Sequence, residues 1–275
     1  MKFIKMHAAG NDYVYVDGDK YCFADVSAAA KKLSERRFGV GSDGLIIVSA
    51  DKTGEADFSM RIFNADGSEG ATCGNGIRCS AVFACLAGKT TKNKMTVRTL
   101  SAVHAVAFEK RGNEFFSSTD FPLPKLLKSP KINDKISNFE NAAKNFALVD
   151  NGNLHAVFFD AKASAKELSE AISPSEIFPD GVNVESAKID EGSIICDVFE
   201  RGSGTTFSCG SGAVATAFAA REKLNFRPEK YPILMRGGTL FVQFDDKKSY
   251  LGGVVTPVFY GETFETEGLS NEIQR

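Results

Sequence analysis

The chain has 275 residues, 43% apolar and 25% charged, with a net charge of −2, which fits one large or two medium globular domains. The near-neutral balance disfavours nucleic acid or an anionic membrane as partner, and no apolar run reaches the ~18 residues of a membrane span. The N-terminal MKFIKMHAAGNDYVYVD alternates like a strand and lacks the apolar core and cleavage site of a signal peptide, so a cytoplasmic setting with reduced cysteines is expected.

Residues 2–6 and 13–17 are predicted strands around a Gly10-Asn11-Asp12 turn. Helical spacing follows over 27–37, with Asp25 or Ser27 as cap. FGVGSDG is then a Gly-rich loop holding Asp43, and 45–49 and 58–63 are strands, the second delivering Asn64. Residues 76–87 form a helix apolar on every face, which implies burial from all sides. Strands at 94–99 and 102–109 and a turn at 111–113 close the first half. Pro122, Pro124 and Pro130 mark a crossover. The pattern then restarts: strands at 146–149 and 156–159 around a loop with Asn153 and His155, a surface helix at 163–173, PSEIFPDGVNVES with Asn183, a strand at 193–199, Glu200-Arg201, a buried helix at 212–221, and strands at 231–235, 239–244 and 251–259.

One gapless offset lays Phe63 on Phe199, Cys73 on Cys209, Gly74 on Gly210 and Gly76 on Gly212. Each copy reads strand, polar loop, then Cys-Gly-X-Gly opening an apolar helix. The fold expected is therefore α+β, an internal duplication giving two pseudo-symmetric domains. Each is a mostly antiparallel sheet wrapped around a central apolar helix, with the active site in the cleft between them. The first domain takes residues 1–117 plus 263–275, the second 118–262.

A cysteine at a helix N-terminus meets free amides and the positive end of the helix dipole, which favour anions and thiolates. Two such thiols, Cys73 and Cys209, could remove a proton from one face of a carbon and return one to the other. The turns Gly74-Asn75 and Gly210-Ser211 would supply N–H donors to the carboxylate beside the developing charge. Arg201 suits a bidentate carboxylate clamp. A metal site is not expected: Cys73, Cys79 and Cys85 would point about 120° apart on a helix, and His7, His104 and His155 lack ligand spacing. A thiol redox protein that joins Cys73 to Cys209 would also fit paired cysteines; a silent amino-acid-binding module is a second rival, but a binder has no need of two cysteines on equivalent turns.

MHAAGNDYVYVD, RRFGVGSDGLIIV, FNADGSEGATCGNGIRC, GNLHAV, FPDGVNVE and ERGSGTTFSCGSGA, in this order over nearly the whole chain, resemble the signature blocks of the diaminopimelate epimerase family. The resemblance implies antiparallel sheets wrapped around central helices in two domains. It implies interconversion of LL- and meso-2,6-diaminoheptanedioate without pyridoxal phosphate or any other cofactor, in lysine and peptidoglycan precursor synthesis, by a homodimer. It also implies Cys73 and Cys209 as acid/base thiols assisted by His155 and Glu200. Asn11, Asn64, Asn153, Asn183, Glu200 and Arg201 match substrate contacts, and Gly74, Asn75, Gly210 and Ser211 match the carboxylate-binding turns. The chain departs from the pattern at Ala8-Ala9, at Gly44 where many members carry a substrate-contacting Gln, at Leu154 for Pro, and at Ser211 for Thr. Relatives acting on proline, hydroxyproline or histidine share the two-thiol logic and should lack the Asn/Glu/Arg set.

Overall fold

Each half of the chain is built on strands buried on both faces, because a helix lies on either side of them. The computed structural model describes residues 1–112, 114–142, 144–173, 176–264 and 269–270. Asn113 of the expected turn, Pro174 and Ser175, and most of the tail at 263–275 lie outside them. The chain divides into one unit of 1–120 with 252–275 and another of 121–251. The second changeover precedes the expected 262/263 because residues 256–262 pair with the first strand of the chain.

The first unit runs β1 (Lys2–Ala8), β2 (Asn11–Asp17), β3 (Cys22–Phe23), α1 (Val26–Ser34), β4 (Gly44–Ala50), β5 (Phe58–Asn64), β6 (Glu69–Gly70), α2 (Gly74–Leu86), β7 (Lys94–Arg98), β8 (Val103–Arg111) and β9 (Glu114–Pro122). The second runs β10 (Lys125–Leu127), α3 (Asn133–Ile136), β11 (Phe146–Asp150), β12 (Leu154–Phe159), α4 (Ala165–Ile172), β13 (Asn183–Asp190), β14 (Ser193–Glu200), β15 (Gly204–Thr205), α5 (Gly210–Lys223), β16 (Tyr231–Met235) and β17 (Gly238–Phe244). β18 (Lys248–Glu262) returns to pair with β1, and β19 (Leu269–Ser270) pairs with β3.

The duplication extends to strand pairing. β1–β2 and β4–β5 are antiparallel while β2–β4 and β5–β7 are parallel. Likewise β11–β12 and β13–β14 are antiparallel, and β12–β13 and β14–β16 parallel. The sheets are thus mostly antiparallel with two parallel joints apiece, at equivalent places.

Alternation along these strands sorts side chains between two helices. Val14, Val16, Leu45 and Ile47 pack on Ala29, Ala30 and Leu33 of α1. Tyr15 turns the other way and stacks on Phe83 of α2 at 5.9 Å between ring centroids. In the second unit Leu148, Ala156, Phe158 and Val184 meet Leu168 and Ile172 of α4, leaving Val149, His155, Val157 and Glu185 on the α5 side. Every residue of α2 from Asn75 to Ala84 is buried; at about 1.5–3 kcal/mol per large apolar side chain, Ile77, Val82 and Phe83 contribute heavily to this core.

Four local readings need correction. α1 stops at Ser34, short of Arg37, because the Gly-rich loop folds back on its last turn: Val40 and Gly41 N–H donate to the Leu33 carbonyl. Gly41 has φ +80, and an added Cβ at Gly39 would meet Lys32 O at 2.1 Å. α4 is not merely a surface helix; Ser164 and Glu167 form its capping box and Ala165, Leu168, Ser169 and Ile172 are buried. The stretch at 183–190, given no strand from sequence, is β13. The proline-marked crossover contains β10, paired with β11, and the short helix α3.

Candidate active site

Cys73 is the N-cap of α2 and Cys209 the N-cap of α5, both with extended backbone. Each sulfur accepts a first-turn amide of its own helix, Gly76 N at 3.4 Å and Gly212 N at 3.3 Å, so the thiol takes the capping role usual for Ser or Asp. A helix N-terminus leaves further donors unpaired, and the N–H groups of Gly74, Gly210 and Ser211 lack an acceptor among the described residues.

In the first unit the Cys73 thiol donates to Asn11 Oδ1 at 3.6 Å, and Asn11 Nδ2 donates to Asp43 Oδ2 at 2.9 Å. Asp43 also accepts Asp12 N–H at 3.1 Å and Arg36 Nη2 at 2.9 Å. Burial, with Asp12 beside it, pushes the Asp43 carboxyl up; Asp12 itself is held down against burial by Arg36 and Lys5. Asn64 is exposed and donates to Ser68 Oγ at 3.0 Å. Asn75 is buried and its Oδ1 accepts from Nη2 of Arg78 at 2.5 Å. Arg78 is fully buried on a helix the sequence presented as apolar. Its Nε and Nη1 have no partner among the described residues, and burial lowers its pKa.

In the second unit the sulfur of Cys209 is 3.3 Å from Ser211 Oγ, and Asn151 Nδ2 donates to the Ser211 carbonyl at 2.8 Å. Burial, then Glu200, then Glu185 push the Cys209 thiol well above its usual range. Burial also raises Glu200, whose Oε1 accepts Thr206 Oγ1 at 2.6 Å. His155 is fully buried, with Nδ1 2.7 Å from Glu185 Oε1; this is its hydrogen bond, rather than one to a thiol. Asn183 donates to the Leu154 carbonyl at 3.1 Å and accepts Arg201 N–H at 3.1 Å, so its amide ties two loops together. The guanidinium of Arg201 is exposed and has no partner among the described residues, and the Asn153 side chain is likewise exposed.

The structure thus brings Cys73 together with Asn11, and Cys209 with Ser211 and Glu200. Asp43 and Glu185 complete these clusters; both lie inside the quoted blocks, RRFGVGSDGLIIV and FPDGVNVE, but neither was named there as a site residue. Gly44 has no room for a side chain, since a Cβ would lie 2.1 Å from Phe63 O, so the Gln contact is excluded there by backbone. Cys79 is a core thiol that burial pushes up to about 12. Among the described residues no group of three or more His, Cys, Asp or Glu could hold a metal ion, and no helix is long and apolar enough to cross a membrane.

The equivalent glycines Gly76 and Gly212 differ in what faces them. A Cβ on Gly212 would lie 2.5 Å from Glu185 Oε1, whereas on Gly76 it would meet the movable tip of Ile46 at 2.8 Å. Alanine gains up to about 1 kcal/mol of helix propensity, less in a first turn. At Gly212 this is outweighed by overpacking of about 1–3 kcal/mol and by strain on the Glu185–His155 bond. Urea unfolding should therefore show Gly212→Ala clearly destabilised and Gly76→Ala close to the parent; equal midpoints for the two variants would contradict this packing account.

Solved structures share this fold. A phenazine biosynthesis protein of the PhzF family from Bacillus anthracis aligns with TM-score 0.74 at 15% identity, covering 96% of this chain and 99% of that one. A hydroxyproline epimerase from Agrobacterium vitis, with bound trans-4-hydroxy-L-proline, aligns with TM-score 0.63 at 14% identity, covering 95% and 91%. The class is therefore the duplicated α+β fold of these proteins, here with a cysteine capping the central helix of each half. The model of the diaminopimelate epimerase family matches residues 3–120 and 147–257. A diaminopimelate epimerase of Bacteroides thetaiotaomicron is 38% identical over 270 residues, 95% of this chain and 97% of its own length. One from Methanococcus maripaludis is 36% identical over 278 residues, covering 95% and 99%. The chain belongs to the diaminopimelate epimerase family and is an isomerase.

Proposed function

We propose that this chain epimerises LL-2,6-diaminoheptanedioate to the meso form without a cofactor, in the synthesis of lysine and peptidoglycan precursors. One cysteine, as thiolate, takes the α-proton from one face; its electron pair is left delocalised into the α-carboxylate. The other, as thiol, delivers its proton to the opposite face and becomes the thiolate. The observation that carries this reading is the recurrence of a cysteine N-cap at the same place in both repeats, beside the first-turn amides of Gly74 and of Gly210 and Ser211. Those amides are donors for the α-carboxylate as charge builds on it. The unpartnered guanidinium of Arg201 suits the distal carboxylate. Asn11 and Glu200 sit against the two sulfurs and adjust them, and Asn64, Asn153 and Asn183 serve the remaining polar groups of the substrate, Asn183 chiefly by holding the Arg201 loop. A cytoplasmic setting keeps both thiols reduced.

Incubation with LL-diaminopimelate in deuterated water tests the reading. The meso isomer should form with deuterium at the inverted carbon and with no metal or pyridoxal phosphate added. A thiol redox protein or a binding module would give neither isomer nor label, and that result would overturn the proposal. The partner is a second copy of the chain: Val258, Phe259 and Tyr260 are 52%, 46% and 66% exposed in a row on β18, an apolar strip of the kind that marks an interface. Light scattering should give a dimer mass for the parent and a monomer for Tyr260→Asp; a monomeric parent at all concentrations would remove this assignment.

A further inference from the structure

The cluster beneath Cys209 contains one acidic group that was given no site role, Glu185, the last residue of the FPDGVNVE block. Register on β13 sets it opposite Val157 of β12 and Val198 of β14, and alternation turns it to the α5 side. There its Oε1 lies 2.7 Å from His155 Nδ1 and 2.5 Å from where a Gly212 Cβ would stand. Gly212 N–H is the amide bonded to the Cys209 sulfur, so the carboxylate rests directly against the turn that carries the thiol.

The other titratable groups on this side are His155 from β12, Glu200 and Cys196 from β14, and Cys209 from α5. Asp197 turns away and accepts Ala165 N–H at 3.0 Å. The buried face of α4, made of Ala165, Leu168, Ser169 and Ile172, carries none. Both His155 and Glu185 are fully buried, yet His155 Nε2 and Glu185 Oε2 have no partner among the described residues. An apolar pair of the same volume would fill the space without two orphaned polar atoms, so packing alone does not account for the pair.

We propose that Glu185 is a positioning residue of the acid–base site: it holds His155 through Nδ1 and sets a carboxylate against the Cys209 turn, so that Cys209 rests as the proton donor. The proposal rests on the reading of Cys209 as an acid–base thiol. A carboxylate accepts only, so the imidazole proton sits on Nδ1 and the lone pair on Nε2, which has no partner among the described residues. Negative charge close to a thiol disfavours its thiolate, and Glu185 adds to the burial and the Glu200 charge that already push Cys209 up.

Glu185→Gln removes the charge at nearly the same volume. Cys209 should then ionise more easily, and the pH midpoint of its alkylation by iodoacetamide, followed on the Cys209 peptide by mass spectrometry, should fall by about one unit. In turnover the basic limb of the bell-shaped profile should move to lower pH, since the second thiol now loses its proton sooner. The kcat should drop at least about tenfold, with KM within about twofold. A purely structural Glu185 would lower the melting temperature and leave midpoint and basic limb in place, which overturns the proposal. Glu185→Asp keeps the charge but shortens the reach to His155: its alkylation midpoint should stay at the parent value while kcat falls, and an unchanged kcat counts against the positioning role. Imidazole 15N spectra of the parent protein decide the matter even if the variants do not fold. With three histidines in the chain, His155 should show its proton on Nδ1, and a proton on Nε2 alone would overturn the proposal. Alkylation and spectra need no substrate, so a failure of diaminopimelate turnover would leave them readable.

Discussion

Cys73→Ser and Cys209→Ser are each expected to abolish epimerisation and to leave the fold intact. Both residues are N-caps, and serine is among the best residues for that position; its hydroxyl can accept Gly76 or Gly212 N–H as the sulfur does. The folded chain therefore loses little. On the proposed mechanism the chemistry loses a great deal, because a hydroxyl does not ionise near neutral pH and cannot replace an acid–base thiol. One positioned proton-transfer group is worth about 10²–10⁴-fold, and with protons moving on two faces neither group can stand in for the other. Cys79→Ser is the control. That thiol is fully buried in α2, and a hydroxyl there without a partner should cost about 1–3 kcal/mol of stability with turnover per folded molecule unchanged. Isomer ratio followed by chromatography, beside urea unfolding, separates the two classes. Substantial turnover by either capping variant would end the two-thiol mechanism.

The parts of this site that were legible in sequence are the local ones. A Cys-Gly-X-Gly turn before an apolar run defines its own geometry, since the cap, the glycines and the helix that follows are neighbours in the chain. Its repetition exposed the duplication, and the parallel joints at β2–β4 and β12–β13 show how far that duplication goes. What could not be read was the choice of partner across strands. Glu185 follows Asn183 and Val184 in a stretch to which the sequence pattern assigned no strand. Only the register against His155 and Val157 reveals it as a buried carboxylate under Cys209. Arg78 lies in a helix read as buried from all sides, and it is buried, but its acceptor Asn75, one turn earlier, was not foreseen. Asn183 was visible as a polar landmark, but its engagement of the Leu154 carbonyl and the Arg201 amide depends on loops brought together by the fold.

Arg201→Lys is expected to be far from conservative. Asn183 fixes the Arg201 backbone through its N–H at 3.1 Å, which holds the start of the side chain while the guanidinium stays exposed without a partner among the described residues. If the distal carboxylate of diaminopimelate is that partner, two parallel N–H···O bonds form, and both geometry and charge select a substrate with a second carboxylate. Lysine keeps the charge and loses the fork. The penalty for leaving a largely desolvated carboxylate poorly matched is about 2–5 kcal/mol, or roughly thirtyfold to several thousandfold in kcat/KM. Stability should hardly change, because an exposed side chain with no partner contributes within about 0.5 kcal/mol. The two measurements therefore pull apart: kcat/KM for diaminopimelate collapses while the urea midpoint stays. Parallel losses in both would show that Arg201 serves the fold through a contact of its own, and the second carboxylate would then have to be recognised elsewhere.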